Sequence, residues 1–410
     1  MFYGWWIVGA CFVISLYVHG MIGFGFSALI EPLSNEFRWS YLQISLASSL
    51  RGVEVGLLAP IVGLLVDRWG PRRLMLGGIL LMGLAFLLLS RTASLGMFYG
   101  VFILIALGMT ALSPTVTMTT MANWFTRRIG TATGIMHSGV GFSGLMIPIV
   151  VLIVDTLGWR AAITVLGLFL LVIISLLTLI VRHRPEQYGL LPDGEAGVTS
   201  MSEKKLLPLE TSSKDIGARV AIRSSAFWHI ALAMMFQIML VNAVVTHMIP
   251  YVGSVGLPRA TAGLIASAVP LTSVAGRLSF GWLSDRIDPR RIMGCGYLMM
   301  SLGMVFFTLA AGGNAGLLIP SVALFSIGFG GNAIVRATII REYFGRRNFG
   351  TIHGFIMGVA VAGHLSGPPL AGWVFDTWGS YQGIWLAFAV VAVAPLLLIM
   401  TVSKPKRGGE

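Results

Sequence analysis

Two stretches of the 410-residue chain, 218 positions apart, decide its fold. The first is Gly63-Leu-Leu-Val-Asp67-Arg68-Trp-Gly-Pro71-Arg72-Arg73; the second is Gly281-Trp-Leu-Ser-Asp285-Arg286-Ile-Asp-Pro289-Arg290-Arg291. Each is a charged turn between long apolar runs. Two further pairs recur in the same order. Trp124-Phe125-Thr126-Arg127-Arg128, ending at Gly134, is answered by Tyr343-Phe344-Gly345-Arg346-Arg347, ending at Gly354, and Asp155-Thr-Leu-Gly158 by Asp376-Thr-Trp-Gly379. Three matched blocks in one order mark a chain built of two like halves.

The runs around these turns set the class. The chain is 56% apolar and 11% charged, whereas soluble domains carry about 25% charged residues. No Asp, Glu, Lys or Arg occurs from Trp5 to Ile30, from Thr92 to Thr126, or from Ser224 to Pro258. Runs of that length exceed the ~20 apolar residues that span a bilayer. The expectation is an all-α membrane protein of twelve transmembrane helices, near 5–30, 41–64, 74–90, 95–122, 129–153, 160–182, 224–252, 259–284, 292–311, 316–341, 348–374 and 380–403. The one long polar stretch, 183–223, reads as a linker between six-helix bundles at 1–182 and 224–410. The first apolar run has no basic region ahead of Trp5 and is too long for a signal peptide, so it is expected to be a retained helix.

The net charge of +12 would suggest nucleic acid in a soluble chain; here lipid topology has first claim on it, and no nucleic-acid partner is expected. Among 28 Lys and Arg residues, only Arg38, Arg91, Arg160 and Arg259 fall in one set of loops, and Arg51, Arg277 and Arg336 fall within helices. The rest lie in the other loops, the linker and the C-terminal tail. That asymmetry places both termini and the linker in the cytoplasm. Cys11 and Cys295 both lie in apolar runs, which excludes a disulfide scaffold and a cysteine metal cluster. No cofactor and no metal site is expected.

Features found in both halves serve the shared fold, so polar groups found in one half only are better candidates for substrate chemistry. Arg277 maps onto Ala59, Arg336 onto Thr117, Arg51 onto Val269 and Glu54 onto Thr272. A charge at the centre of a membrane helix costs roughly 2.5–3.5 kcal/mol on insertion scales and marks function by default. Neither Arg277 nor Arg336 has an acid within one helical turn, which suggests an anionic ligand, because the guanidinium fork matches a carboxylate. The structural alternative is that either bonds backbone carbonyls or bridges helices. Glu54, three residues after Arg51, is either half of a neutralised pair that packs helix 2 or a proton-coupling group. His19, His137 and His364 lie within spans, where a neutral imidazole bonds substrate, relays a proton, or is satisfied by a neighbour. Asn242 and Asn332 are substrate candidates whose alternative is helix–helix bonding. Gly139-Val-Gly141-Phe-Ser-Gly144 spells a dinucleotide fingerprint but has no strand before it, and it is expected to pack helices instead.

The chain resembles a transporter of the major facilitator superfamily, whose signature is the Gly-x-x-x-Asp-Arg-x-Gly-x-Arg-Arg loop. The resemblance covers nearly the whole chain. It implies two six-helix halves around a central site, alternating access, and a monomer as the working unit. It also implies that Asp67 and Asp285 cap helix ends and pair with arginine, a latch formed with Arg68, Arg72, Arg286 and Arg290. The departure is Asp288, where the first copy has Gly70. The alternative is that these arginines only anchor topology.

Within that superfamily the chain is similar to monocarboxylate porters and the related oxalate/formate exchangers. Tyr3-Gly4-Trp5-Trp6 matches the porters' Gly-Trp-rich opening, and Trp124-Phe125 with Ala132, Gly134 and Gly139 matches their helix 5 motif. Arg277 with Gly281 and Asp285 matches their helix 8 pattern, in which Arg engages the substrate carboxylate. Arg184-Pro185-Glu186 with Gly189, Pro192, Asp193 and Gly194 resembles a linker opening of bacterial relatives. Three departures stand out. Ser273 replaces an Asp common four residues before the helix 8 Arg, helix 1 has no Lys, and helix 11 offers His353 and His364 where oxalate exchangers have Lys. The implied function is secondary transport of a small monocarboxylate, with a proton, in a bacterial cytoplasmic membrane. The alternatives are a dicarboxylate or oxalate/formate exchanger, with Arg336 as the second cation, and a transporter-derived sensor. A nucleotide-driven pump would need Gly-x-x-x-x-Gly-Lys-[Ser/Thr], which does not occur. A membrane hydrolase would need paired acids, a metal cluster or a nucleophile–base set, so no enzymatic activity is expected.

Overall fold

The computed structural model describes residues 2–125, 129–183, 185–189, 217–284, 286–345 and 349–403, with no strand among them. Helix α1 (Gly4–Val18) passes into a π-helical turn (His19–Phe24), a 3₁₀ turn (Gly25–Leu29) and α2 (Ile30–Phe37). The first span therefore runs beyond the expected end near residue 30 and stops where Arg38 turns to φ 60°. Glu31 and Glu36 extend it, because each finds an arginine partner. A reciprocal Ser40–Gln43 capping box opens α3 (Tyr41–Trp69), satisfying two amides that a helix start leaves free.

The repeated charged turn is built in two ways. Gly70, at φ 77°, leads into α4 (Pro71–Leu89) through a conformation that residues with a Cβ rarely adopt. At the equivalent place Asp288 has φ −51°, and its carboxylate accepts the Arg290 amide at 2.9 Å. A glycine corner in one half is thus replaced by a side-chain cap in the other.

Helix 4, expected as one element, breaks into α5 (Leu95–Thr110) and α6 (Pro114–Trp124). Pro114 has no N–H to donate to the preceding turn and disfavours helical backbone at Ser113. The fifth span joins α7 (Ile129–Phe142), a 3₁₀ turn and α8 (Met146–Leu157); the sixth joins α9 (Trp159–Phe169), a π turn at Leu170–Ile174 and α10 (Ser175–Thr178). After α11 (Ala218–Arg223) come α12 (Ser225–Ser254), α13 (Arg259–Ser284), α14 (Pro289–Ala311), α15 (Leu318–Phe344), α16 (Phe349–Trp378), α17 (Gln382–Val391) and α18 (Val393–Thr401). Among the described residues, ten stretches are long and apolar enough to cross a membrane. Helix 4 is not among them, because its break leaves a 16-residue apolar helix, Leu95–Thr110. Leu152, Leu278, Ile319 and Val390 are 63–77% exposed, as suits a multi-pass membrane protein facing hydrocarbon.

The chain divides into two compact units: Met1–Thr199 with Arg259–Ser267, and Ser200–Pro258 with Ala268–Glu410. In unit 1, α1 packs on α7 and α4 on α5. Gly139 lies so close to α1 that a Cβ would stand 2.5 Å from the Phe12 carbonyl oxygen; the glycine fingerprint is a helix-packing seam. Tyr3 packs tilted against Trp124, and Trp5 packs edge-on against Phe125. A Cβ on Gly4 would meet the Phe125 ring at 2.8 Å. The aromatic opening and the motif after helix 4 are one packed cluster, closed by the Trp124 indole N–H donating to the Arg182 carbonyl at 2.9 Å. In unit 2, α14 packs on α15 and α12 on α16. The α12–α16 seam is a small-residue contact: Cβ atoms at Gly363 and Gly367 would overlap the Met235 and Met239 carbonyls.

Candidate functional site

In unit 2, α13 and α15 meet backbone to backbone. A Cβ on Gly276 would overlap the Ile327 carbonyl oxygen, and one on Gly330 the Ser273 carbonyl oxygen. Arg277 follows the first contact, and Arg336 lies six residues beyond the second. Ser273 is buried and its hydroxyl donates to the Pro270 carbonyl at 2.6 Å, so it brings no charge to Arg277.

The two arginines lie within Coulomb range of each other. The Arg277 Nε is buried with no hydrogen-bond partner among the described residues. Arg336 approaches the Met357 sulfur of α16 at 3.7 Å, and a thioether is a weak acceptor. The Tyr297 hydroxyl and His353 complete the set, each within Coulomb range of Arg336. Tyr297 donates to the Gln237 side-chain oxygen at 3.4 Å, and the Gln237 amide lies 3.5 Å from the Phe329 carbonyl. Among the described residues no carboxylate pairs with either guanidinium. Asn332, one turn before Arg336, is fully buried against Gly296 with both amide atoms unpartnered, a rare state for a buried amide.

Other predicted residues lie apart from this cluster. The Asn242 amide donates to the Ile238 carbonyl of its own helix at 2.8 Å. His19 belongs to unit 1 and starts the π turn, with Nδ1 3.0 Å from the Ser15 carbonyl. His364 sits eleven residues after His353 on α16, about 16 Å along a helix axis. Arg51 and Glu54 lie on α3, and their side chains fall outside the described residues, as do those of Asp67 and Asp285. Of the latch arginines, Arg68 is exposed and Arg72 half-buried. Arg286 lies 3.8 Å over the Trp282 ring, and Arg290 bonds the Asp288 carboxylate at 2.9 Å. That bond holds the Asp288 carboxyl below the usual carboxylate range. Tyr297, Gln237 and Met357 were not legible as site residues, since each is an ordinary member of a helical apolar run.

Unit 1 has its own charged groove of about 590 Å³, lined by Glu31, Glu36, Asp155 and Arg259 among others. Its charges are compensated. Arg259 donates to Asp155 at 2.6 Å, to Glu31 and to the Ala28 carbonyl. Arg160 binds Glu36 at 2.6 Å and the Ser90 and Thr92 carbonyls at 2.7 and 3.0 Å. Arg160 and Arg259, expected only to mark loop topology, are structural cross-links. Arg277 and Arg336, within their spans and without a carboxylate partner among the described residues, lie in unit 2.

A helical membrane fold built from a repeated charged turn, with two half-buried arginines that pair with no carboxylate among the described residues, points to a membrane-carrier architecture. The sequence profile of the Major Facilitator Superfamily matches residues 6–258 and 248–410, and the chain belongs to that family. Monocarboxylate transporter 12 of Mus musculus is 25% identical over 99% of this chain and 87% of its own length. Monocarboxylate transporter 2 of Homo sapiens is 23% identical over 96% and 84%. Among solved structures, the nucleoside transporter NupG superposes with a TM-score of 0.78 at 13% identity, covering 99% of this chain and 100% of that one. A D-xylose-proton symporter gives 0.74 at 16% identity over 98% and 99%. These two likenesses show the fold; the relatives are transporters, not enzymes.

Proposed function

We propose that the protein is a secondary active transporter of a small organic anion, working by alternating access, with the substrate carboxylate on Arg277 and assistance from Arg336. One observation carries this: two guanidinium groups in mutual Coulomb range, with no carboxylate partner among the described residues. Burying an uncompensated charge is costly, and an anionic cargo removes that cost when it binds. The resemblance to relatives named monocarboxylate transporters supports a carboxylate as the recognised group. Glu54, the acid farthest inside a span, is the proposed proton carrier, with Arg51 beside it and His364 as a second candidate. The excess of Lys and Arg in one set of loops supports cytoplasmic termini as part of this reading.

Uptake of labelled lactate, pyruvate and oxalate into vesicles holding the purified protein, with and without a pH gradient, tests this. Saturable uptake lost in Arg277→Ala is expected. Normal transport by that variant would overturn the site. Full gradient-driven accumulation by Glu54→Gln would remove Glu54 as the coupling acid.

A further inference from the structure

We propose that Arg259 is a releasable clamp that holds the first turns of α13 to unit 1 and lets go once in each transport cycle. This rests on the alternating-access part of the reading above, whatever the cargo.

Arg259 opens α13, where the helix dipole disfavours a cation, so tertiary partners rather than local preference hold it there. Its guanidinium donates to the Asp155 carboxylate of α8 at 2.6 Å, to Glu31 of α2 and to the Ala28 carbonyl. One turn into each helix an apolar contact repeats the ionic one: a Cβ on Gly263 would stand 3.0 Å from a Val151 methyl. Asp155 with Arg259 and Val151 with Gly263 form an antiparallel seam of two rungs.

The seam is short. Arg259–Ser267 belongs with unit 1 and the helix from Ala268 onward with unit 2, and Pro270 lies inside α13 just past that division. Proline removes a main-chain helix bond, so bending is cheapest there. One helix thus has its first turns bound in one unit, then a weak point, then Gly276 and Arg277 in the other.

The bonds suit repeated breaking. The three charged side chains are 22–38% exposed along the groove of about 590 Å³. Water rehydrates the ions as they part, and partly exposed ion pairs cost little to separate. At the offset of the charged turns, Arg259 falls on Tyr41; this cation is no part of the repeat that builds the shared fold.

The test uses the full-length protein in lipid vesicles, with Cys295→Ser as the parent. A Cβ at position 263 would stand 3.4 Å from that of Val151, near the roughly 3.5–4.5 Å across a disulfide, so Gly263→Cys with Val151→Cys closes the seam on oxidation. Oxidation is expected to abolish uptake of labelled lactate, pyruvate or oxalate, and reduction to restore it. Uptake that continues with the cross-link complete by mass spectrometry would overturn the clamp. Val151→Cys alone, at a position 2% exposed, reports release through its labelling by a water-soluble maleimide. Arg259→Gln is expected to speed that labelling about threefold to tenfold, the population shift that losing two partly exposed ion pairs permits, while Arg259→Lys stays near the parent rate. Native Cys11, buried in α1, is the internal control and is expected to stay unlabelled. An unchanged rate in Arg259→Gln sinks the clamp, as does equal acceleration at Cys11, which would mean a general loosening of unit 1. If the parent takes up none of the three anions, the anion reading fails alone, because maleimide labelling needs no substrate.

Discussion

The His247 Nδ1 and the Tyr381 hydroxyl lie 2.9 Å apart in the core of unit 2, and the His247 Nε2 lies 2.9 Å from the Pro368 carbonyl oxygen. A carbonyl only accepts, so Nε2 carries the proton and Nδ1 receives the Tyr381 O–H. The ring thus ties α12 to α16 beside the paired prolines Pro368 and Pro369, and to the start of α17. Tyr381 in turn stacks on Trp385 and Phe375.

Replacing His247 with Phe is expected to remove the bonds to both the tyrosine hydroxyl and the proline carbonyl. The cost should be about 1–3 kcal/mol, from the loss of two buried hydrogen bonds. Thermal unfolding of the detergent-solubilised protein reads it, and an unchanged midpoint would remove the tie from the fold's essentials.

Gly330→Val and Gly276→Val should each prevent the close crossing of α13 and α15, because the new atoms would press on main-chain carbonyls that cannot rotate away. Overpacking typically costs 1–3 kcal/mol, and more against backbone. Gly134→Ala, with nothing within 4 Å of its new Cβ, is the contrast, expected to be neutral or slightly stabilising. Size-exclusion profiles and melting midpoints distinguish the three.

The Glu36–Arg160 pair is about 40% exposed on each side, so its coupling is screened. A double-mutant cycle should return about 0.5–1 kcal/mol, shrinking with added salt. Arg160→Ala alone should cost more than that coupling, because it also strips donors from the Ser90 and Thr92 carbonyls.

At Asp288 the expectation concerns pH. Its folded carboxyl titrates below the usual range, held down first by the Arg290 bond. Its contribution is therefore present above the unfolded value of about 3.9 and lost as pH falls through the lower folded value. Asp288→Asn should keep the helix cap, and its stability deficit should be constant from pH 8 to about 5, begin to shrink at about 4, and vanish only once the pH has fallen through the lower folded value. Asp288→Ala should lose the cap too, about 1 kcal/mol more. Melting midpoints across that pH series are the measurement.

The fold was legible because its determinants are local and repeated: apolar runs of bilayer length, and charged turns that recur in order. Arg277 and Arg336 stood out for the same reason, as charges where hydrocarbon is the solvent. The rest depended on contacts between distant segments. Glu31 and Glu36 look like a helix terminus until Arg259 and Arg160 are seen beside them. Pro114 carried a readable signal for the break in helix 4. His247 and Tyr381 carried none, since 134 residues separate them and each alone is an unremarkable polar member of an apolar run.

Because main chain rather than side chains fixes the crossing of α13 and α15, the backbone gap between positions 277 and 336 is a caliper locked at one setting. Exchanging one packing residue for a larger one cannot retune it. Only a rebuilt helix crossing, or a side chain of another length at position 277 or 336, can change the reach across it.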